Sequence, residues 1–193
     1  MAVYPDALTV REARARYFAA NGFKESGYEA RWVRLQAGPV PLFILNTRAR
    51  ARAVRFHDLH HVVTGYETTW TGEAEIGAWE VASGCAHHYA AWVLNLQALA
   101  VGLLINPGAV FRAFLRGRHS RNLYREVFSD SLLALTVGEM RRRLHLCPTP
   151  RPPTPRDCTA FVGWALAGAL VFLSSLLIVS VPLLATWILF FHS

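Results

Sequence analysis

Residues 55–65 read Arg55-Phe56-His57-Asp58-Leu59-His60-His61-Val62-Val63-Thr64-Gly65, and Gly72-Glu73 follow after a loop of polar and aromatic residues. At about 100° per residue, His57, Asp58 and His61 fall within about a 100° arc of one helix face. Phe56, Leu59 and Val63 take the opposite side as a core stripe. Asn46 or Thr47 caps this basic helix, which continues to about Thr64 and closes at Gly65. Gly65 and Gly72 let the chain turn back and deliver Glu73, which opens a second helix to about Ser83. His57, Asp58, His61 and Glu73 then form a borderline-hard donor set suited to one divalent metal: zinc, iron or manganese. A histidine pair four residues apart also fits ordinary surface or core histidines. A buried Asp beside two His is costly unless something positive sits there.

Upstream, Thr9-Val10-Arg11-Glu12 is a capping box that starts a helix ending at Gly22. Tyr28–Gln36 and Val40–Leu45, separated by Gly38-Pro39, are rich in aromatic and β-branched residues and predict a small hairpin. Downstream, Tyr89–Ile105 is apolar and uncharged, yet too short for an ordinary span, so a buried or lipid-binding core helix is expected. Helical stretches follow near 109–117 and 121–128. Leu135-Thr136-Val137-Gly138-Glu139 then repeats the logic of Leu8–Glu12, as two similar helix starts rather than a duplicated domain.

Hydrophobic residues make up 53% of the chain, and the excess lies at one end. From Thr159 to Ser193 there is no Lys, Arg, Asp or Glu, and Ala160–Val181 is long enough to cross about 30 Å of hydrocarbon. The chain thus divides into a helical metal-binding domain (1–147), a stiff Pro-rich linker (148–157) and a C-terminal transmembrane anchor (158–193). Pro182 either kinks the span or turns the tail back. Arginines precede the span and none follow, which puts the domain on the cytoplasmic face. The N-terminal MAVYPDALTV has no apolar signal core, so the domain is expected to stay on the side where it is made.

The net charge is +7, nearly all from Arg, and beside a membrane anchor it favours anionic lipid over nucleic acid, for which no motif is present. Cys85, Cys147 and Cys158 form no CxxC pair, which argues against a disulfide framework or zinc knuckle. No GxGxxG, P-loop or Ser-His-Asp elbow pattern occurs.

HDLHH, eleven residues and then Glu73 resembles the HDxxH-x11-E signature of the Coq-four family of ubiquinone (coenzyme Q) biosynthesis proteins. Gly65, Gly72, Trp79-Glu80 and Gly84 also match family positions, and the likeness covers about residues 45–105, with Leu8–Gly22 as a shorter variant seen in bacterial relatives. It does not extend to the C-terminal span. The resemblance implies a mainly α-helical domain with a metal, usually taken to be zinc, held by His57, Asp58, His61 and Glu73. It implies oxidative decarboxylation of a polyprenylated hydroxybenzoate in making the ubiquinone head group, and a scaffold role for partner enzymes. For this chain the implied setting is the cytoplasmic face of a bacterial inner membrane, with membrane lipid, the polyprenylated substrate and other quinone-pathway enzymes as partners; a homo-oligomer is also left open. Zinc has no redox chemistry, so oxidation requires iron or manganese, or direct reaction of an electron-rich phenolate with oxygen.

Around the motif the sequence leaves several roles open. His60 is packing, a ligand or a hydrogen-bond donor behind the ligands. Glu80, two turns after Glu73, orients a ligand histidine, acts as a base or makes a surface salt bridge. His87-His88 reach the site or remain polar surface, and Glu67 and Glu75 are expected in solvent. Two rivals to the enzyme are a scaffold with a structural metal and a metal-dependent phosphohydrolase of isoprenoid lipids.

Overall fold

The computed structural model describes residues 4–37, 40–146 and 152–191 and is mainly helical. Helix α1 (Val10–Asn21) leads through a 3₁₀ turn (Glu25–Tyr28) to an antiparallel hairpin of β1 (Trp32–Ala37) and β2 (Val40–Leu45), in register Trp32↔Leu45 to Ala37↔Val40. Then come α2 (Arg48–Thr64), α3 (Trp70–Ser83), α4 (Tyr89–Ile105), α5 (Pro107–Arg118), α6 (Asp130–Ala134), α7 (Val137–Arg143) and α8 (Pro155–Phe191). One core packs Phe56, Leu59 and Val63 of α2 against Leu123, Tyr124 and Met140. A second packs Ile76 and Trp79 of α3 against Leu99 of α4 and Phe114 of α5.

Helix α2 is capped by Thr47, whose hydroxyl accepts from Arg50 N, and closes at Gly65 with φ 79°. The two capping boxes meet: Thr9 and Thr136 form an isolated antiparallel bridge, with Val10 N to Leu135 O and Val137 N to Leu8 O both 2.8 Å. The repeated motif therefore joins two helix starts, using backbone groups that helix N-termini leave without intrahelical partners.

Helix α3 begins earlier than expected, at Trp70 with Thr69 as N-cap. Gly72 is not a turn residue but lies inside the first helical turn. A Cβ there would collide with the backbone of Glu67, so glycine lets the preceding loop press against the helix. The helix expected at 121–128 does not form. Its backbone is used elsewhere: Leu123 N donates to His60 Nε2 at 2.9 Å, and Asn122 binds Ser83 Oγ and the Gly84 carbonyl.

The long apolar helix α8 starts at Pro155, inside the stretch read as linker. Thr154 Oγ accepts from Asp157 N, and Asp157 in turn accepts from Thr154 N and Oγ. The helix runs on through Pro182. Pro155–Val181 is long and apolar enough to cross a membrane. Its first half is built into the domain, however. Phe161 meets the rings of Phe111 and Phe114, and Trp164 stacks on Trp92 at 5.1 Å. At Gly168 a Cβ would lie 2.9 Å from the Leu96 carbonyl oxygen, so a bare backbone is what lets α8 approach α4 there.

Candidate metal centre

Helix α2 presents His57 and His61 one turn apart, and the first turn of α3 brings Glu73 opposite them. His57 Nε2 lies 3.1 Å from His61 Nε2 and 3.3 Å from Glu73 Oε2, and His61 Nε2 lies 3.4 Å from Glu73 Oε1. Zinc–nitrogen bonds of about 2.0–2.1 Å in a tetrahedron require ligand–ligand edges of about 3.3 Å. The three side chains can therefore hold a metal ion as they stand.

The other ring nitrogens settle which atoms face the site. His61 Nδ1 donates to the Tyr66 carbonyl at 2.9 Å, and His57 Nδ1 donates to Glu80 Oε1 at 2.9 Å. Both Nε2 atoms then point lone pairs at the same space, and two acceptors need a proton or a cation between them. In the metal-free chain the proton is favoured. Burial disfavours a charged His57, but the carboxylates of Glu80 and Glu73 outweigh it and hold the ring well above its ordinary pKa. Burial also opposes ionisation of Glu73, yet hydrogen bonds from His57 and His61 pull it far below the usual carboxylate range. The donor set thus fits a divalent cation in place of that proton.

Behind the three donors, Glu80 is wholly buried. Oε1 accepts from His57 Nδ1 and from His60 Nδ1 (2.6 Å); Oε2 accepts from Tyr124 OH (2.6 Å) and Asn95 Nδ2. Burial would raise its pKa, but His57 and His60 hold it well below the ordinary value. Glu80 is thus not a surface salt bridge: it fixes the His57 ring and its tautomer, as carboxylates behind metal-bound histidines do. His60 spends both nitrogens, on Glu80 and on Leu123 N, and burial pushes its pKa down, so it is no ligand in this arrangement.

Asp58 is not one of the three converging donors, although it neighbours them. It is buried and accepts a hydrogen bond from Tyr28 OH. Burial raises its pKa, against the hydrogen bond from Tyr28 and the neighbouring charges of His57 and His61. Tyr17 stacks on His61 with centroids 5.5 Å apart, and burial followed by Asp58 and Glu73 raises its hydroxyl pKa. Beside it a cleft of about 260 Å³ opens, lined by Tyr4, Tyr17, Asn21, His61, Tyr66 and Thr68. Glu67 lies on the rim of this cleft, while Glu75 is partly buried, with burial raising its pKa against Arg112. His87 and His88 stack on each other, and His88 packs against Phe56 and Tyr124 rather than joining the donors.

Sequence reasoning missed Tyr28, Asn95, Tyr124 and the Tyr66 carbonyl. Only Asn95 carried a signal, as a polar residue within an otherwise apolar run. No protein-family model, no curated protein and no solved structure matches this chain.

Proposed function

We propose that this protein is a metal-dependent enzyme of quinone biosynthesis, acting at a membrane surface on a polyprenylated hydroxybenzoate whose ring carboxylate leaves as carbon dioxide and is replaced by hydroxyl, with molecular oxygen as the oxidant. The observation that carries the reading is the convergence of His57, His61 and Glu73, backed by the buried Glu80. This arrangement agrees with the Coq-four signature, which adds Asp58 as the fourth ligand. Asp58 neighbours the three donors and would exchange its bond to Tyr28 for the ion. A bound zinc, iron or manganese ion would act as Lewis acid toward the carboxylate or phenolate of the substrate, and iron or manganese would add redox capacity.

The chain's own residues do the rest. Glu80 keeps a proton on His57 Nδ1 and so keeps Nε2 available, and the Tyr66 carbonyl does the same for His61. Tyr4, Tyr17 and Tyr66 line the cleft beside His61, which gives an aromatic substrate ring apolar neighbours there. The apolar faces of α4 and α8 offer a surface for the prenyl tail.

Elemental analysis of anaerobically prepared protein tests the site: about one first-row metal per chain is expected, lost in the His57→Ala/His61→Ala variant. Metal retained in that variant would overturn the assignment. Lipid extracts test the reaction. A deletion strain should accumulate a polyprenylated aromatic acid that keeps its carboxylate, and Glu73→Gln should reproduce it. Normal quinone precursors in the deletion strain would overturn the pathway. One feature favours a scaffold as the second reading: with Asp58 added, four protein ligands would close the shell and leave no open position. In that case Glu73→Gln would leave precursor levels normal while loss of the whole protein scatters intermediates.

A further inference from the structure

Helix α8 carries tryptophans at Trp164 and Trp187, 23 residues apart, or about 34 Å along a helix. That spacing would let the two tryptophans bracket a hydrocarbon core of about 30 Å, a usual setting of tryptophan in a membrane span. The packing against α4 falls inside this bracket. Gly168, set against Leu96 and Ala100, lies about 6 Å along the axis from Trp164, and Ser175 lies about 16 Å along it. Gln97 Nε2 of α4 donates to Ser175 Oγ at 2.8 Å, and Ser175 Oγ donates to the Val171 carbonyl at 2.8 Å. The polar side chains at this crossing are paired with each other, as hydrocarbon surroundings require.

The rest of α4 agrees. It is free of charged residues over its 17 positions. Its inner face meets α3, and its outer face leaves Tyr89, Val93, Leu104 and Ile105 exposed, Leu104 at 81%. On the half of α8 that packs against the domain, Val162, Leu166 and Leu170 are exposed as well. Leaving such a surface in water forgoes the free energy that covering it with lipid would release.

We propose that α4 lies within one leaflet of the bilayer beside α8, with its outer face against lipid hydrocarbon. The domain is then partly immersed rather than tethered, and α4, whose buried Asn95 reaches Glu80 behind the metal centre, lies between that centre and the lipid. The inference rests on α8 being a span, and the test keeps the two apart. Nitroxides are placed singly by Val93→Cys, Leu104→Cys, Leu177→Cys and Arg125→Cys in full-length protein with Cys147→Ser and Cys158→Ser; Cys85 is buried. The protein is reconstituted in phosphatidylethanolamine–phosphatidylglycerol vesicles, and collision rates with oxygen and with a water-soluble nickel chelate are read by electron paramagnetic resonance. Val93 and Leu104 should favour oxygen, as Leu177 does, with the ratio reversed at Arg125. Labels at Val93 and Leu104 that read like Arg125, while Leu177 reads lipid, would overturn the immersion of α4 and leave the span standing. A water-like Leu177 would overturn both. Labels shielded from both reagents and broadened by a nearby spin would mean that a second copy of the chain covers α4.

Discussion

Glu73 and Glu80 lie on one face of α3, two turns apart, and both accept hydrogen bonds from histidines of α2. The side chain of Glu73 is 40% exposed and, among the described residues, is partnered by the two Nε2 atoms, whereas Glu80 is fully buried with four donors around it. Exposure leaves Glu73 lone pairs to offer an incoming ion; saturation leaves Glu80 none. Chemically identical residues at helical spacing are thereby divided into a candidate metal donor and the residue that holds a second candidate, His57, in place.

The sharpest test of that division is Glu80→Gln in the metal-free protein. Glutamine keeps the volume but cannot accept from four donors, and it removes the charge that His57 and His60 face. Breaking a buried charge network from one side costs about 3–5 kcal/mol, so a large fall in Tm is expected by calorimetry. Metal affinity should drop about 10–100-fold as well, since His57 loses its orienting partner. A Tm within a degree of the parent would dissolve the distinction between the two glutamates. Next in size is Tyr124→Phe, which removes one of the four donors and should cost about 1.5–3 kcal/mol while metal content stays intact. Loss of metal in that variant would place Tyr124 closer to the ligands than its bond to Glu80 implies.

Glu73→Gln should behave in the opposite way. Its carboxylate reaches solvent, so unfolding of the metal-free chain should shift by less than in Glu80→Gln, while bound metal is lost. Comparing denaturant midpoints with and without a chelator separates the two quantities. A loss of stability as large as that of Glu80→Gln, with metal retained, would exchange the roles assigned to the pair.

The parts of this site that could be read from the chain are those fixed by local spacing. Thr47 as cap, Gly65 as stop and the His57–His61 interval all sit within one helix, and Glu73 follows from a short loop. Glu80 could be placed on the right face, but periodicity says nothing of depth, and depth is what rules out a surface salt bridge. Asn95 arrives from α4, where it stands out only as a polar residue in an apolar run, and Tyr124 from an irregular segment that no local pattern announces. The segment 121–128 misled for the same reason: its local preference is helical, but His60 takes the Leu123 N–H. In α8, composition alone cannot distinguish apolar residues packed on the domain from exposed ones, and Phe161 and Trp164, within the stretch read as an anchor, pack against it.

The smallest effect belongs to a third kind of carboxylate, the exposed Glu12 and Glu139 of the two capping boxes. Each accepts from the backbone N–H and hydroxyl of its threonine, and these bonds hold both pKa values below the ordinary glutamate value. A lowered folded-state pKa means stability that is present above the unfolded value, near pH 4.3, and is lost as pH falls below it. Glu80 has the same sign but sits in a network that water does not reach. Glu12→Gln/Glu139→Gln should therefore lower Tm slightly at pH 7 and make the acid limb of the Tm–pH curve slightly shallower. Most of that limb should remain, carried by Glu80 and its histidines. If the double variant flattened the whole acid limb, the acid sensitivity of this fold would come from its helix starts, where Thr9 and Thr136 bridge, and not from the buried carboxylate of α3.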